Sequence, residues 1–272
     1  MREPVVCLRR RTVKVQVLVA AVNENVNTLA EKMHLETEAV IVNQCDRFAY
    51  CEYLHKDRWV RCYSMAERGV GLNRNTALMR ADGDICLFSD EDIVFDPGYE
   101  EKILNAFREN PDADLITFNF RVDPSRTTYY NQQKKRIRWY NYGRYPTYAA
   151  AARVESLRRA NVSFSLLFGG GAKYSNGEDS LFFHDCLKKG LHLYADTAEL
   201  GEEVYRESTW FKGYNDKFFT DRGVLYHHLY GKAAKLFSLR FLLAHKEEML
   251  KEISLKEAYG LMKQGIREAK RR

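Results

Sequence analysis

No apolar run in this chain approaches the ~20 residues that a bilayer-spanning helix needs, so a membrane-spanning protein is not expected. A secretory leader is not expected either, because Arg9-Arg10-Arg11 precedes an apolar stretch of only about eight residues. The six cysteines (Cys7, Cys45, Cys51, Cys62, Cys86, Cys186) contain no C-x-x-C pair and no short secreted framework. They read as reduced thiols of a cytoplasmic protein. Both common nucleotide signatures are missing. There is no Walker A sequence, and Gly69-Val70-Gly71 lacks a third glycine and does not follow the first strand. A general basic surface is also lacking. Residues 232–272 hold eleven Lys or Arg against five Glu, which accounts for the whole net charge of +6. The remainder is nearly neutral, which argues against a nucleic-acid-binding groove.

What is present centres on residues 81–93, Ala-Asp-Gly-Asp-Ile-Cys-Leu-Phe-Ser-Asp-Glu-Asp-Ile. Ile85 to Phe88 has the length of a buried strand, and it ends in three carboxylates, Asp90, Glu91 and Asp92. Carboxylates crowded at a strand end repel one another unless a cation joins them. Hard oxygens of this kind suit Mg or Mn, with phosphate oxygens completing the shell. Taken alone, such a cluster is more often a solvated turn.

The surrounding pattern gives it weight. Val13 to Val22 reads as a central parallel strand ending in Asn23-Glu24-Asn25, and Thr28 to Leu35 as a short helix. Ala39 to Val42 is a second strand ending in Asn43-Gln44, and Val60 to Ser64 a short third. A helix follows Gly69 and Gly71, with Arg74 in its first turns, where a guanidinium and free backbone N–H groups can hold an anion. Pro97 to Asn110 reads as a helix and Asp114 to Phe120 as a strand. This alternation argues a doubly wound, mostly parallel α/β sheet, whose ligands bind at the carboxyl ends of its strands.

Residues 123–163 are rich in Tyr, Arg and Lys and weakly periodic, which fits either an edge hairpin or a surface that stacks on sugars or bases. Gly169-Gly170-Gly171 marks a flexible or close-packed loop before Glu178-Asp179, which opens a helix running to about Lys188. At a helix N terminus such an acidic pair can simply complement the dipole. Leu191 to Tyr194 reads as a strand returning to the sheet. Residues 210–223 read as a polar–aromatic loop able to close over a ligand, and His227-His228 as packing or an extra metal ligand. Beyond Gly231 the chain reads as helical and basic. It is expected to dock on the body or to lie on anionic lipid headgroups.

Gly71-x-x-Arg74-Asn75, Ala81-x-Gly83-Asp84-Ile85, Asp90-Glu91-Asp92, Pro97 with Tyr99, and Gly177-Glu178-Asp179-Ser180-Leu181-Phe182 together resemble the family 2 type of GT-A glycosyltransferase, over roughly residues 13 to 225. It is particularly similar to bacterial enzymes that build surface glycans. The resemblance implies a GT-A fold over 1–231, with a nucleotide-sugar half at about 13–120 and an acceptor half at about 121–231, followed by a helical extension at 232–272. It implies a metal-dependent, inverting transfer from a nucleotide-sugar, taken as a UDP-sugar, to a glycan or lipid-linked acceptor. Asp92 assisted by Asp90 would hold the cation, Asp179 would be the base, and Glu178 would position hydroxyls. Arg74 would contact the nucleotide or its phosphates, and Asn23, Glu24 and Asn43 would line the nucleoside pocket. The aromatic middle and the Trp210 loop would hold the acceptor.

The chain departs from the pattern where the first strand ends without Pro-x-Tyr-Asn, and where Asn43-Gln44 replaces two aspartates. An alternative register would set Ser89 and Glu91 at the metal-binding positions. The competing readings are a sugar nucleotidyltransferase, which wants a Gly-rich basic loop after the first strand, and a non-catalytic glycan- or nucleic-acid-binding protein on the same scaffold.

Overall fold

The computed structural model describes residues 12–124, 129–204 and 213–271. In chain order its elements are β1 (Val15–Val22), α1 (Val26–Lys32), β2 (Glu38–Gln44), β3 (Ala49–His55), β4 (Arg58–Met65), α2 (Val70–Arg80), β5 (Ile85–Asp90) and β6 (Ile93–Phe95). Then come α3 (Tyr99–Glu109), β7 (Leu115–Arg121), β8 (Lys135–Ile137), β9 (Ala150–Arg153), α4 (Val154–Arg159), α5 (Glu178–Lys188) and β10 (Leu193–Glu203). Four helices end the chain: α6 (Asp216–Tyr230), α7 (Ala234–Ala244), α8 (Lys246–Met249) and α9 (Leu255–Lys270).

The strands form one mixed sheet in the order β3-β4-β2-β1-β5-β9-β7-β10-β6, with β8 paired to β10. Strands β4, β2, β1 and β5 run parallel. β1 shows why its sequence is almost continuously apolar. Val15, Val17, Val19 and Ala21 enter the layer shared with Leu29, Met33, Tyr99 and Ile103. Leu18 points the other way, into the layer with Ala77, Phe88, Phe182 and Phe183. Both faces are covered by helices, so the period-2 alternation of a strand carries no polar half.

Three features differ from the sequence expectation. β3 and β4 form an antiparallel hairpin at the sheet edge, turned by Lys56 and Asp57 at φ 48° and 59°, where only the second strand was expected. The aromatic middle is not simply an edge hairpin. Within it, Ala150-Ala151-Ala152-Arg153 insert as β9 between β5 and β7, antiparallel to both. Residues 216–223 are the start of α6, not a loop, with Asn215 accepting the Phe218 N–H at 3.0 Å as its N-cap. The expected ligand-closing residue Trp210 lies outside the described residues.

The basic segment from residue 232 folds as α7 to α9. α9 lies along α6 at backbone contact, since a Cβ on Gly223 would come within 2.1 Å of the Met262 carbonyl oxygen, and one on Gly265 within 2.0 Å of the Thr220 carbonyl oxygen. α7 leaves Leu236 and Leu243 exposed. Among the described residues no helix is long and apolar enough to cross a membrane.

Candidate active site

The parallel strands bring their carboxyl ends together as expected. In the register, Ala20 of β1 sits opposite Asp90 of β5, and Ala21 opposite Asn43 of β2. The β1–α1 turn is held by a reciprocal pair: Asn43 Nδ2 donates to the Glu24 carbonyl at 2.9 Å, and its Oδ1 accepts the Glu24 N–H at 3.1 Å. Asn23 adopts φ 55° there, a left-handed conformation that asparagine tolerates better than most residues. Asn43 is therefore a buried brace of the turn, while Asn23 is exposed at its tip.

Arg74 is the centre of the site. Its side chain is 4% exposed and faces three carboxylates: Asp90 at 3.1 Å, Asp179 at 3.0 Å and Glu178 at 3.7 Å. The guanidinium also lies 5.6 Å from the centre of the Phe164 ring, and Phe164 stacks on Phe182 at 4.2 Å. That aromatic pair fixes α5 against α2, and so brings Glu178 and Asp179 to β5. The sequence reading set Arg74 among backbone N–H groups open to an anion. The structure instead turns it toward carboxylates, and the Val70 N–H at the start of α2 is taken by the Gly170 carbonyl at 2.9 Å.

The glycine loop explains this closeness. A Cβ on Gly169 (φ 102°) would meet the Glu178 Cδ at 2.8 Å, and one on Gly171 (φ 77°) would meet the Gly69 nitrogen at 3.0 Å. A Cβ on Gly71 would come within 2.2 Å of the Ser165 carbonyl oxygen. Of the two alternatives, flexible or close-packed, the loop is close-packed.

One guanidinium against three carboxylates leaves surplus negative charge. The effect falls on Glu178, whose carboxyl is pushed up to about 7 by burial and by neighbouring Asp179, with Arg74 pulling the other way. Asp179 accepts from Arg74 and from the Thr147 hydroxyl, both on Oδ1. Asp179 and Glu178 line a cavity of about 370 Å³ with Arg144, Tyr148, Glu203 and Arg222. The Tyr148 hydroxyl is pushed above its ordinary value by burial and by Glu203 and Asp90.

Asp92 holds β10 through its carbonyl, which accepts the Val204 N–H at 2.8 Å. Ser89 is buried, and its hydroxyl donates to the Asp90 carbonyl at 3.1 Å. Asp90 and Asp92 are both half-buried. Among the described residues no three His, Cys, Asp or Glu side chains are grouped to hold a metal ion. His227 and His228 sit on α6 and do not line the cavity at Asp179, and the His228 ring packs on Phe168.

Thr147, Tyr148, Glu203 and Arg222 had no individual role in the sequence reading, although the first two fall in the aromatic middle and Arg222 in the 210–223 segment, both expected to hold the acceptor. The first two precede β9, and because β9 runs antiparallel to β5 its entry lies at the carboxyl end of β5, beside Asp90. Only the recognition of Ala150–Arg153 as a strand would have placed them.

A helix-flanked, mostly parallel sheet with acidic groups at the ends of its central strands, beside a cavity lined by a second acidic pair, is the layout of a group-transferring enzyme with the GT-A fold. The sequence profile of glycosyl transferase family 2 matches residues 17–162, more than half of the chain. The chain belongs to that family and is a glycosyltransferase. Among solved structures, residues 1–349 of S. aureus TarS in complex with UDP-GlcNAc match at 17% identity and a TM-score of 0.62, over 93% of this chain and 82% of that one. The mannosyltransferase PcManGT from Pyrobaculum calidifontis, in complex with GDP-Man and Mn2+, matches at 15% identity and a TM-score of 0.50, over 96% and 76%. Curated proteins give no sequence match.

Proposed function

We propose that the chain is a metal-dependent, inverting glycosyltransferase. It would move a sugar from a UDP-sugar to a hydroxyl of a glycan or lipid-linked acceptor in bacterial surface polysaccharide synthesis, on the cytoplasmic side. The observation that carries the reading is Asp179. Both of its hydrogen bonds fall on Oδ1, which leaves Oδ2 free to take the acceptor's proton within the cavity. Arg74 and Thr147 hold the carboxylate in one orientation, and Glu178 positions hydroxyls beside it. Deprotonating the acceptor on the side away from the leaving diphosphate makes the transfer a single displacement with inversion.

The donor set fits a hard divalent cation, Mn or Mg. Asp92 with Asp90 would offer carboxylate oxygens, and phosphate oxygens would complete the coordination. Of the two registers, the one on Asp90 and Asp92 is supported, because Ser89 is buried and committed to backbone. The bound cation would neutralise the departing diphosphate. Arg74 then acts on the donor indirectly, by orienting Asp90, while Asn43 braces the Asn23–Glu24 turn as one wall of the nucleoside pocket. The exposed Leu236 and Leu243 on α7, beside Lys232 and Lys235, support peripheral contact with an anionic membrane surface.

The test is thermal unfolding with UDP, with and without Mn, for wild type and Asp92→Asn. At ~100 times its dissociation constant a ligand of the folded state adds about 2.7 kcal/mol. A UDP shift that needs Mn and disappears in Asp92→Asn is the expected result. No UDP shift with any divalent metal would reject the UDP-sugar, and an equal Mn effect in the variant would reject Asp92 as a ligand.

A further inference from the structure

A second cavity, of about 320 Å³, adjoins the catalytic one, and the two share Gly143, Arg144, Ser180 and Arg222 in their walls. Their charge differs sharply. The catalytic cavity has Glu178, Asp179 and Glu203 in its wall. The described lining of the second contains Arg144, Arg222, Arg240 and His245 and no Asp or Glu. Its remaining wall is largely aromatic, including Trp139, Tyr140 and Tyr226.

Arg222 is the telling residue. Its guanidinium lies between the rings of Phe218 and Phe241, at 5.2 and 5.1 Å from their centres. Its Nε is buried and has no hydrogen-bond partner among the described residues. The ionisable groups around it are Tyr226, Tyr214 and Tyr230, with no carboxylate among them, and burial presses its pKa below the ordinary value. Arg74 also has a buried Nε without a partner, but its guanidinium is matched by three carboxylates, and that counter-charge is what Arg222 lacks. The Arg222 side chain as a whole is half-buried, so its exposed part opens to the cavity while the rest lies among rings. A cation held there without a counter-charge is costly, and a planar guanidinium pairs best with a carboxylate or phosphate. Aromatic walls beside it suit the apolar faces of sugar rings or of a prenyl chain.

We infer that the second cavity is an anion subsite for the acceptor, in which Arg222, with Arg144 and Arg240, binds a phosphate group of the acceptor while an acceptor hydroxyl lies at Asp179. This rests on the transferase reading above. The same phosphate chemistry can come from a soluble sugar phosphate or from a lipid-linked phosphate.

The experiment is an equilibrium titration with the donor site saturated by UDP and Mn, so that a phosphate cannot register there. The soluble probe is N-acetylglucosamine 1-phosphate, compared with N-acetylglucosamine. The lipid probe is phosphatidylcholine vesicles doped with a polyprenyl phosphate, compared with undoped vesicles. Wild type is expected to bind at least one phosphate probe and not its neutral counterpart, and the probe that binds identifies the source. Arg222→Gln should weaken that binding at least about tenfold and leave UDP affinity unchanged. Should Arg222→Gln fail to fold, the doubly substituted Arg144→Gln, Arg240→Gln protein decides, since both side chains are surface-exposed. Its binding should weaken several-fold. No phosphate binding by wild type, equal binding of the neutral probe, or unchanged binding in the variants overturns the inference. UDP binding is read in the same titrations. Its absence from wild type would reject the donor assignment, and the phosphate arms, repeated without UDP, would still decide the subsite.

Discussion

Replacing Arg74 by methionine, which keeps an unbranched apolar stem and removes the charged head, is the most searching test of the site. The substitution leaves Asp90, Asp179 and Glu178 facing one another with no cation between them. Breaking a buried ion pair from one side costs about 3–5 kcal/mol. Asp90 and Asp179 are 31% and 32% exposed, so water screens part of their repulsion and the low end, ~3 kcal/mol, is expected. The loss must depend on pH. Without Arg74, Glu178 loses the charge that pulls its pKa down, so the folded state keeps that proton to higher pH than the unfolded chain does, and stability falls as pH rises. Urea denaturation of both proteins at ~pH 8 and ~pH 5.5 should therefore give a larger difference at the higher pH. A difference below about 1 kcal/mol at both values, or one that ignores pH, would refute the claim that Arg74 holds the carboxylates together.

Three further outcomes are expected. Glu178 holds its proton to about 7 in the folded protein, against 4.5 ordinarily. Its contribution is intact below the unfolded value and is lost as pH climbs through the folded one, a change on the order of 3 kcal/mol. Glu178→Gln should flatten the stability–pH curve between those values, and parallel curves for wild type and variant would contradict the shift. Asp179→Asn should lower transfer by about 10²–10⁴-fold while leaving UDP affinity within about twofold, measured by product formation and by calorimetry. Equal losses in both would make Asp179 a donor-binding residue. Gly71→Ala places a Cβ 2.2 Å from the Ser165 carbonyl oxygen. It should destabilise the fold by about 1–3 kcal/mol in urea melts, and a neutral effect would mean that the 163–171 segment does not press on α2 as described.

The central strands were legible because their neighbours bury both faces: β1, β2, β5 and β7 each show an apolar run closed by polar residues. The Arg74 and Glu178-Asp179 motifs were legible as residues, but their pairing was not, since Arg74 and Asp179 lie 105 positions apart and their direct contact depends on the tertiary packing that the Phe164–Phe182 stack belongs to. β9 was hidden because alanine is a poor strand former by itself. Its three alanines form a strand because β5 and β7 already offer ladders on both sides. The start of α6 was hidden by Gly223, which breaks helical patterning yet is needed for the α9 backbone to approach.

The central position of β9 has a consequence for how the chain acquires its structure. Strands β5 and β7 do not pair with each other; each waits for residues 150–153. β6 waits longer still, because its partner β10 begins at residue 193. A chain emerging from a ribosome would hold the open edges of β5 and β7 until β9 arrives, and sheet edges of that kind recruit other chains. Fragments ending shortly before residue 150 should aggregate, whereas those extending past α4 gain a closed inner ladder. Such non-local pairing also predicts slow refolding for a protein of this size.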